Sequence, residues 1–144
     1  MGKMIFVNLP VTDLARSMAF YEAVGAANEP KFTNEAAAMM RFSEAVNVML
    51  LTHDFWRTFT SKPIPNAHET AQVLLCLSCE TREAVDAQVE AALGAGGKPD
   101  PTPTQDMGGM MYGRSYEDPD GHILEVMWMD AAAADQGPGA FEAA

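Results

Sequence analysis

Two apolar spacings alternate along this chain, one suited to strands and one to helices, and their order predicts the fold. Residues 4–11, Met-Ile-Phe-Val-Asn-Leu-Pro-Val, read as a buried strand that ends near its proline. Thr12 and Asp13 then offer an N-cap, Leu14, Met18, Tyr21 and Val24 follow at helical spacing, and Gly25 supplies a stop. Residues 36–43 and 46–52 read as two strands joined through Ser43-Glu44-Ala45-Val46. The order then returns. Residues 71–79 form a strand, Thr81 is the next N-cap, Val85, Val89 and Leu93 make an apolar stripe, and Gly94, Gly96 and Gly97 end the helix. A proline-rich stretch at 98–105 leads into two runs flanking Asp118-Pro119-Asp120-Gly121, a β-hairpin signal. The pattern predicts an α+β chain of two tandem modules, at 4–53 and 71–130, with a linker at 54–70 and a mobile tail at 131–144.

With the turn on those four residues, Arg114 is expected opposite Glu125, and Glu125 shares a face with Ile123, Met127, Tyr112, Arg114 and Tyr116. A carboxylate inside an apolar strand costs free energy unless something compensates it. Three readings of Glu125 stay open: a metal ligand, a polar handle or general base in a ligand cavity, or a partner of Arg114. In the last case its pKa is expected to fall. By the same parity Phe6, Asn8, Gln72, Leu74 and Cys76 face inward, and Met39 is expected opposite Leu50. One half of the cavity is then apolar (Phe6, Met39, Leu50) and the other polar (Gln72, Arg114, Glu125), which suits a small molecule with an apolar body and one polar end. Phe55, Trp56 and Phe59 in the linker either cap that cavity or cover the core or a second subunit.

Composition narrows the partners. The net charge is -11, and residues 67–144 hold the whole excess, with three Lys/Arg against fourteen Asp/Glu. An acidic surface repels phosphate backbones, which excludes nucleic acid as an expected partner. No apolar run has the length of a membrane span and no signal-peptide pattern opens the chain, so no membrane is expected and the cytoplasm is the expected location. Cys76-Leu-Ser-Cys79 falls at a strand end, where a redox or zinc pair is poorly placed, and reads as two buried thiols. His122 reads as a solvated turn residue, while His53 or His68 could join Glu125 in a shifted metal site.

Phe6-Val-Asn-Leu-Pro-Val-Thr-Asp-Leu14 leading to Phe20-Tyr21, and Glu117-Asp-Pro-Asp-Gly-His-Ile-Leu-Glu125, resemble the vicinal oxygen chelate superfamily. Glyoxalase I, fosfomycin-resistance enzymes, bleomycin-binding proteins and extradiol dioxygenases belong to it, and the look is closest to bacterial predicted lactoylglutathione lyases. The resemblance implies two βαβββ modules forming a half-open barrel around a cavity, and a homodimer. It also implies four metal-ligand positions, which fall at Phe6, Leu50, Gln72 and Glu125. Two of these are hydrocarbon and one is a neutral amide, so a single anionic ligand remains, a poor cage for a divalent ion. The expected function is therefore a glyoxalase/bleomycin-resistance-like small-molecule binding protein without a metal or other cofactor. The alternative is a glyoxalase-type lyase or dioxygenase that holds a divalent metal through shifted ligands. Expected ligand-binding residues are Phe6, Asn8, Met39, Leu50, Trp56, Gln72, Tyr112 and Arg114, with Glu125 as the candidate catalytic group.

Overall fold

The computed structural model describes residues 2–137. The first module runs β1 (Ile5–Val11), α1 (Leu14–Ala23), β2 (Ala27–Glu29), a 3-10 turn (Pro30–Phe32), β3 (Ala37–Arg41) and β4 (Val46–Thr52). A short helix α2 (His53–Trp56) opens the linker. The second module runs β5 (Leu74–Ser78), α3 (Arg82–Gly94), β6 (Lys98–Pro99), β7 (Gln105–Asp106), β8 (Met111–Glu117) and β9 (Ile123–Met129), followed by α4 (Ala131–Gln136). Local chemistry starts both long helices as expected. The Asp13 carboxylate accepts from the Arg16 amide at 3.0 Å, and the Thr81 hydroxyl accepts from the Ala84 amide at 3.0 Å, each satisfying an amide left unpaired in a first turn.

Each module forms its own open sheet, in the orders β1-β4-β3-β2 and β5-β9-β8-β6, with β7 also on β8. β1 runs parallel to β4 and β5 parallel to β9, as a crossover through a helix requires. This is the expected α+β fold of paired βαβββ-type modules. Neither sheet closes into a barrel. The two sheets share one core: Phe20 and Tyr21 of α1 join Val85 and Val89 of α3 and Tyr116 of β8, all fully buried. Phe20 meets Tyr21 edge-on at 5.3 Å between ring centroids and Tyr116 at 5.9 Å, so one aromatic cluster spans both modules.

Polar contacts fasten the modules together at the β8–β9 turn. Asp120 Oδ1 accepts from the Thr12 amide at 3.0 Å and the Thr12 hydroxyl at 2.8 Å, and Asp120 Oδ2 accepts from Ser17 Oγ at 3.3 Å. Tyr21 Oη donates to Asp118 Oδ2 at 2.8 Å. The His122 ring is not a solvated turn group as expected: it is half-buried and donates from Nε2 to the Pro10 carbonyl at 2.8 Å. Gly121 has φ +93°, and a Cβ there would lie 2.6 Å from the His68 amide nitrogen, so the linker passes directly over this glycine.

The same turn corrects the expected register. The Asp118 amide donates to the His122 carbonyl at 2.9 Å and the Gly121 amide to the Asp118 carbonyl at 2.9 Å, which leaves three residues in the loop instead of two. Asp118 Oδ1 accepts from the amides of Asp120 and His122, and Gly121 supplies the positive φ that the extra residue needs. Glu125 therefore stands opposite Ser115, and Arg114 opposite Val126. The first module shows the same one-residue difference. Phe42 pairs with Val46 around a three-residue loop held by Ser43 Oγ, so Met39 faces Met49, and Leu50 faces Ala38. A shift of one residue sends every side chain of a strand to the other face.

Two smaller expectations also change. Residues 131–136, expected as part of a mobile tail, form α4, with Asp130 accepting from the Ala132 amide at 3.0 Å and Ala133 buried; residues 138–144 of that tail lie outside the described residues. Cys76 is exposed rather than buried, because β5 is an edge strand and its face away from α3 is open, while Cys79 is half-buried against the core. Among the described residues no helix is long and apolar enough to cross a membrane.

Candidate functional site

The register decides which expected site residues can meet. Glu125 lies on the face of the second sheet turned away from α3, next to Cys76 on β5 and Ser115 on β8. Arg114 and Tyr112 lie on the other face. Arg114 holds Asp100 with two bonds, Nη2 to Oδ2 at 2.8 Å and Nε to Oδ1 at 3.1 Å, and reaches Asp86 of α3 at 2.9 Å. Tyr112 Oη donates to the same Asp86 oxygen at 2.7 Å. The expected Arg114–Glu125 pair is therefore not formed. Arg114 hydrogen bonding holds the Asp100 carboxyl below the usual carboxylate range, and the Tyr112 hydroxyl followed by Arg114 does so for Asp86. Arg82 lies 4.5 Å over the Tyr112 ring and bonds Asp106 at 3.0 Å, so this face is a polar clamp between α3 and the 98–108 segment. Leu50 is also removed from the site, since it is fully buried in the common core.

Around Glu125 the open face forms a small pocket of about 110 Å³, bordered by Cys76, Thr102, Gln105, Gly113 and Met127. Although Cys76 as a whole is exposed, partial desolvation by its neighbours, and then the Glu125 carboxylate, push its thiol up. The repeat now yields a corrected comparison between modules. Asn8 pairs with Met49 in the first sheet as Cys76 pairs with Glu125 in the second. The first-module counterpart of Glu125 is thus Met49, adjacent to the expected Leu50 and equally unable to serve a hard cation. Among the described residues no three His, Cys, Asp or Glu side chains gather as a metal ion requires. One carboxylate among a thiol, a thioether and an amide does not fit the divalent ion of a glyoxalase-type centre.

A second and larger space opens between the modules, a cleft of about 460 Å³. Its walls are the end of β1 (Asn8 to Pro10), the approach to β5 (Gln72, Val73), the β8–β9 turn (Gly121 to Ile123) and the linker, which brings Trp56 and Lys62. The linker holds this course because Pro63 and Pro65 keep it extended and because it is packed onto Gly121. Three expected ligand residues, Asn8, Trp56 and Gln72, come together here. Of the others, Phe6 is exposed near the start of edge strand β1, and Met39 is buried on the same sheet face. Lys62 and His122 escaped the sequence reading. A linker has no periodicity to show which side chains turn inward, and the bond of His122 to Pro10 is a long-range contact that its place after Gly121 does not show.

Residues 3–126 match the family described as the Glyoxalase/Bleomycin resistance protein/Dioxygenase superfamily. Among solved structures, the hypothetical protein SA1046 of S. aureus is similar at 26% identity and TM-score 0.73, over 89% of this chain and 94% of that one. A glyoxalase/bleomycin resistance protein/dioxygenase family enzyme of Burkholderia phytofirmans PsJN is similar at 18% identity and TM-score 0.74, over 90% and 100%. The fosfomycin resistance protein FosX of Listeria monocytogenes shares the fold at 14% identity and TM-score 0.63, over 90% and 93%. No curated protein sequence gives a significant match.

Proposed function

Since the chain belongs to the glyoxalase/bleomycin resistance protein/dioxygenase superfamily, we propose that it is a small-molecule binding protein of that family, and that it binds its ligand in the inter-module cleft without a metal ion. The observation that carries this reading is the meeting of Asn8, Trp56 and Gln72 around about 460 Å³. Sites for small organic ligands span roughly 300–1,000 Å³ and combine apolar walls with a few polar groups. The Glu125 pocket, at about 110 Å³, has room for a few waters and not for such a ligand.

In the bound state Trp56 gives the apolar body of the ligand a flat surface, and the amides of Asn8 and Gln72 meet its polar end. Glu125 lies outside this site, so Glu125→Gln leaves binding unchanged. A homodimer accompanies the reading. β1 and β5 are both edge strands, and Ile5, Phe6, Val73 and Leu74 along them are about half exposed, an apolar margin that a second copy would cover. Free Cys76 and Cys79 suit the reducing cytoplasm.

The test is a thermal-shift screen of chelator-treated protein against small aromatic compounds, repeated with Trp56→Ala. Ligands that raise the melting temperature of the native chain and not of the variant support the proposal. A stoichiometric divalent ion that Glu125→Gln removes, or stabilisation only with added metal, refutes it in favour of the lyase or dioxygenase alternative.

A further inference from the structure

Resting on that reading of the cleft, we infer that its ligand is an organic anion, a carboxylate or similar group on a flat apolar body, with Lys62 as the counter-charge. Of the 20 Asp and Glu residues of the chain, none of the 19 described ones borders the cleft, whereas Lys62 and His122 both do. Glu69 adjoins the lining residue Thr70 in sequence without itself lining the cleft, and the two acids of the β8–β9 turn are spent elsewhere. Asp118 accepts from Tyr21 and from two backbone amides, and Asp120 from Thr12 and Ser17. Lys62 forms no ion pair with any described residue, so its ammonium group is available to an incoming charge.

The neutral groups point the same way. The side-chain amides of Asn8 and Gln72 make no hydrogen bond to another described residue, and each offers two N–H donors to a carboxylate. The His122 ring donates from Nε2 to the Pro10 carbonyl, and its orientation is fixed by that bond. An ammonium ligand in the same place would face Lys62 with no acid to receive it. The other and smaller space is bordered by Glu125 and Arg114 together, so it has an acid that the cleft lacks. The overall charge of -11 does not cancel this preference, because exposed charges beyond about 8–10 Å are screened at physiological salt.

Three probes with one ring system and different end groups test the inference: 2-naphthoate, 2-naphthalenemethanol and 2-naphthylmethylamine, titrated calorimetrically into the chelator-treated full chain. The acid is expected to bind about tenfold tighter than the alcohol, the size of one charge-assisted hydrogen bond, with the amine weakest. Lys62→Met is expected to remove the preference for acid over alcohol, and raising the salt concentration to reduce it. Equal affinity for acid and alcohol, or tighter binding of the amine, overturns the anion, and an acid preference that survives Lys62→Met overturns Lys62 as its counter-charge. If the alcohol binds and Trp56→Ala abolishes it while no acid preference appears, the cleft stands and only its charge selectivity is refuted. Absence of saturable binding by all three overturns both.

Discussion

Replacing Asp120 by alanine tests how the two modules are held together. The carboxylate is nearly buried, with its side chain 8% exposed, and it accepts three hydrogen bonds from the first module. A hydrogen bond to a charged acceptor contributes about 1.5–3 kcal/mol, but the Thr12 groups lie closer to solvent and recover part of their loss from water. Ser17 is fully buried and recovers little, so about 1–3 kcal/mol remains there alone. Arg16 adds little, at 3.8 Å and half exposed. The expected total is about 3–5 kcal/mol, a large share of the roughly 5–15 kcal/mol that holds a domain folded. Asparagine keeps an acceptor for Thr12 and can donate to Ser17, so Asp120→Asn is expected to cost about 1–2 kcal/mol. Urea unfolding at pH 7, followed by circular dichroism at one protein concentration, measures both variants. The midpoint should fall in the order native, Asn, Ala with an unchanged slope. A loss below about 1 kcal/mol for Asp120→Ala, or equal losses for the two variants, would falsify the view that this turn fastens the modules.

Other consequences follow from single contacts. A Cβ at Gly97 would lie 2.5 Å from the Glu117 carbonyl oxygen and 2.9 Å from Phe20 Cε2, so Gly97→Ala should destabilise by about 2 kcal/mol or more in the same urea assay. Gly121→Ala combines a positive φ with a clash against the linker backbone, and calorimetry should show weaker naphthalene binding together with lower stability. Tyr112 and then Arg114 hold Asp86, and Arg114 holds Asp100, below their unfolded pKa, so their stabilisation is present above about pH 4 and is lost as pH falls through the folded values. Arg114→Met should lower stability by about 1 kcal/mol at pH 7 and flatten that loss below about pH 4, as read from urea midpoints. Equal acid sensitivity in the native chain and the variant would contradict the clamp.

The order of elements was legible because apolar spacing changes at each boundary and because Asp13 and Thr81 are recognisable caps. Register was not. Asp118-Pro119-Asp120-Gly121 fits a two-residue loop on sequence, and only the Asp118 side chain bonding two amides beyond itself makes the three-residue loop. That single residue moved Arg114 and Tyr112 away from Glu125, and its counterpart at Ser43 moved Leu50 into the core. Of the residues that line the cleft, Asn8 and Gln72 were singled out by an expected strand parity, although Gln72 precedes β5, and Trp56 by the aromatic cluster around it. Lys62 and His122 depend on how the linker lies across Gly121, a long-range contact that no local pattern encodes.

In the proposed function, ligand binding is independent of metal, with the ligand in the inter-module cleft and Glu125 apart from it. The most direct measurement is the dissociation constant of 2-naphthoate for chelator-treated native protein, for Glu125→Gln and for Trp56→Ala, each with and without added divalent ions. The prediction is one constant for native protein and Glu125→Gln, indifferent to metal, and binding weakened at least about tenfold in Trp56→Ala. Binding that requires a divalent ion, or that disappears with the Glu125 carboxylate while Trp56→Ala retains it, contradicts the account.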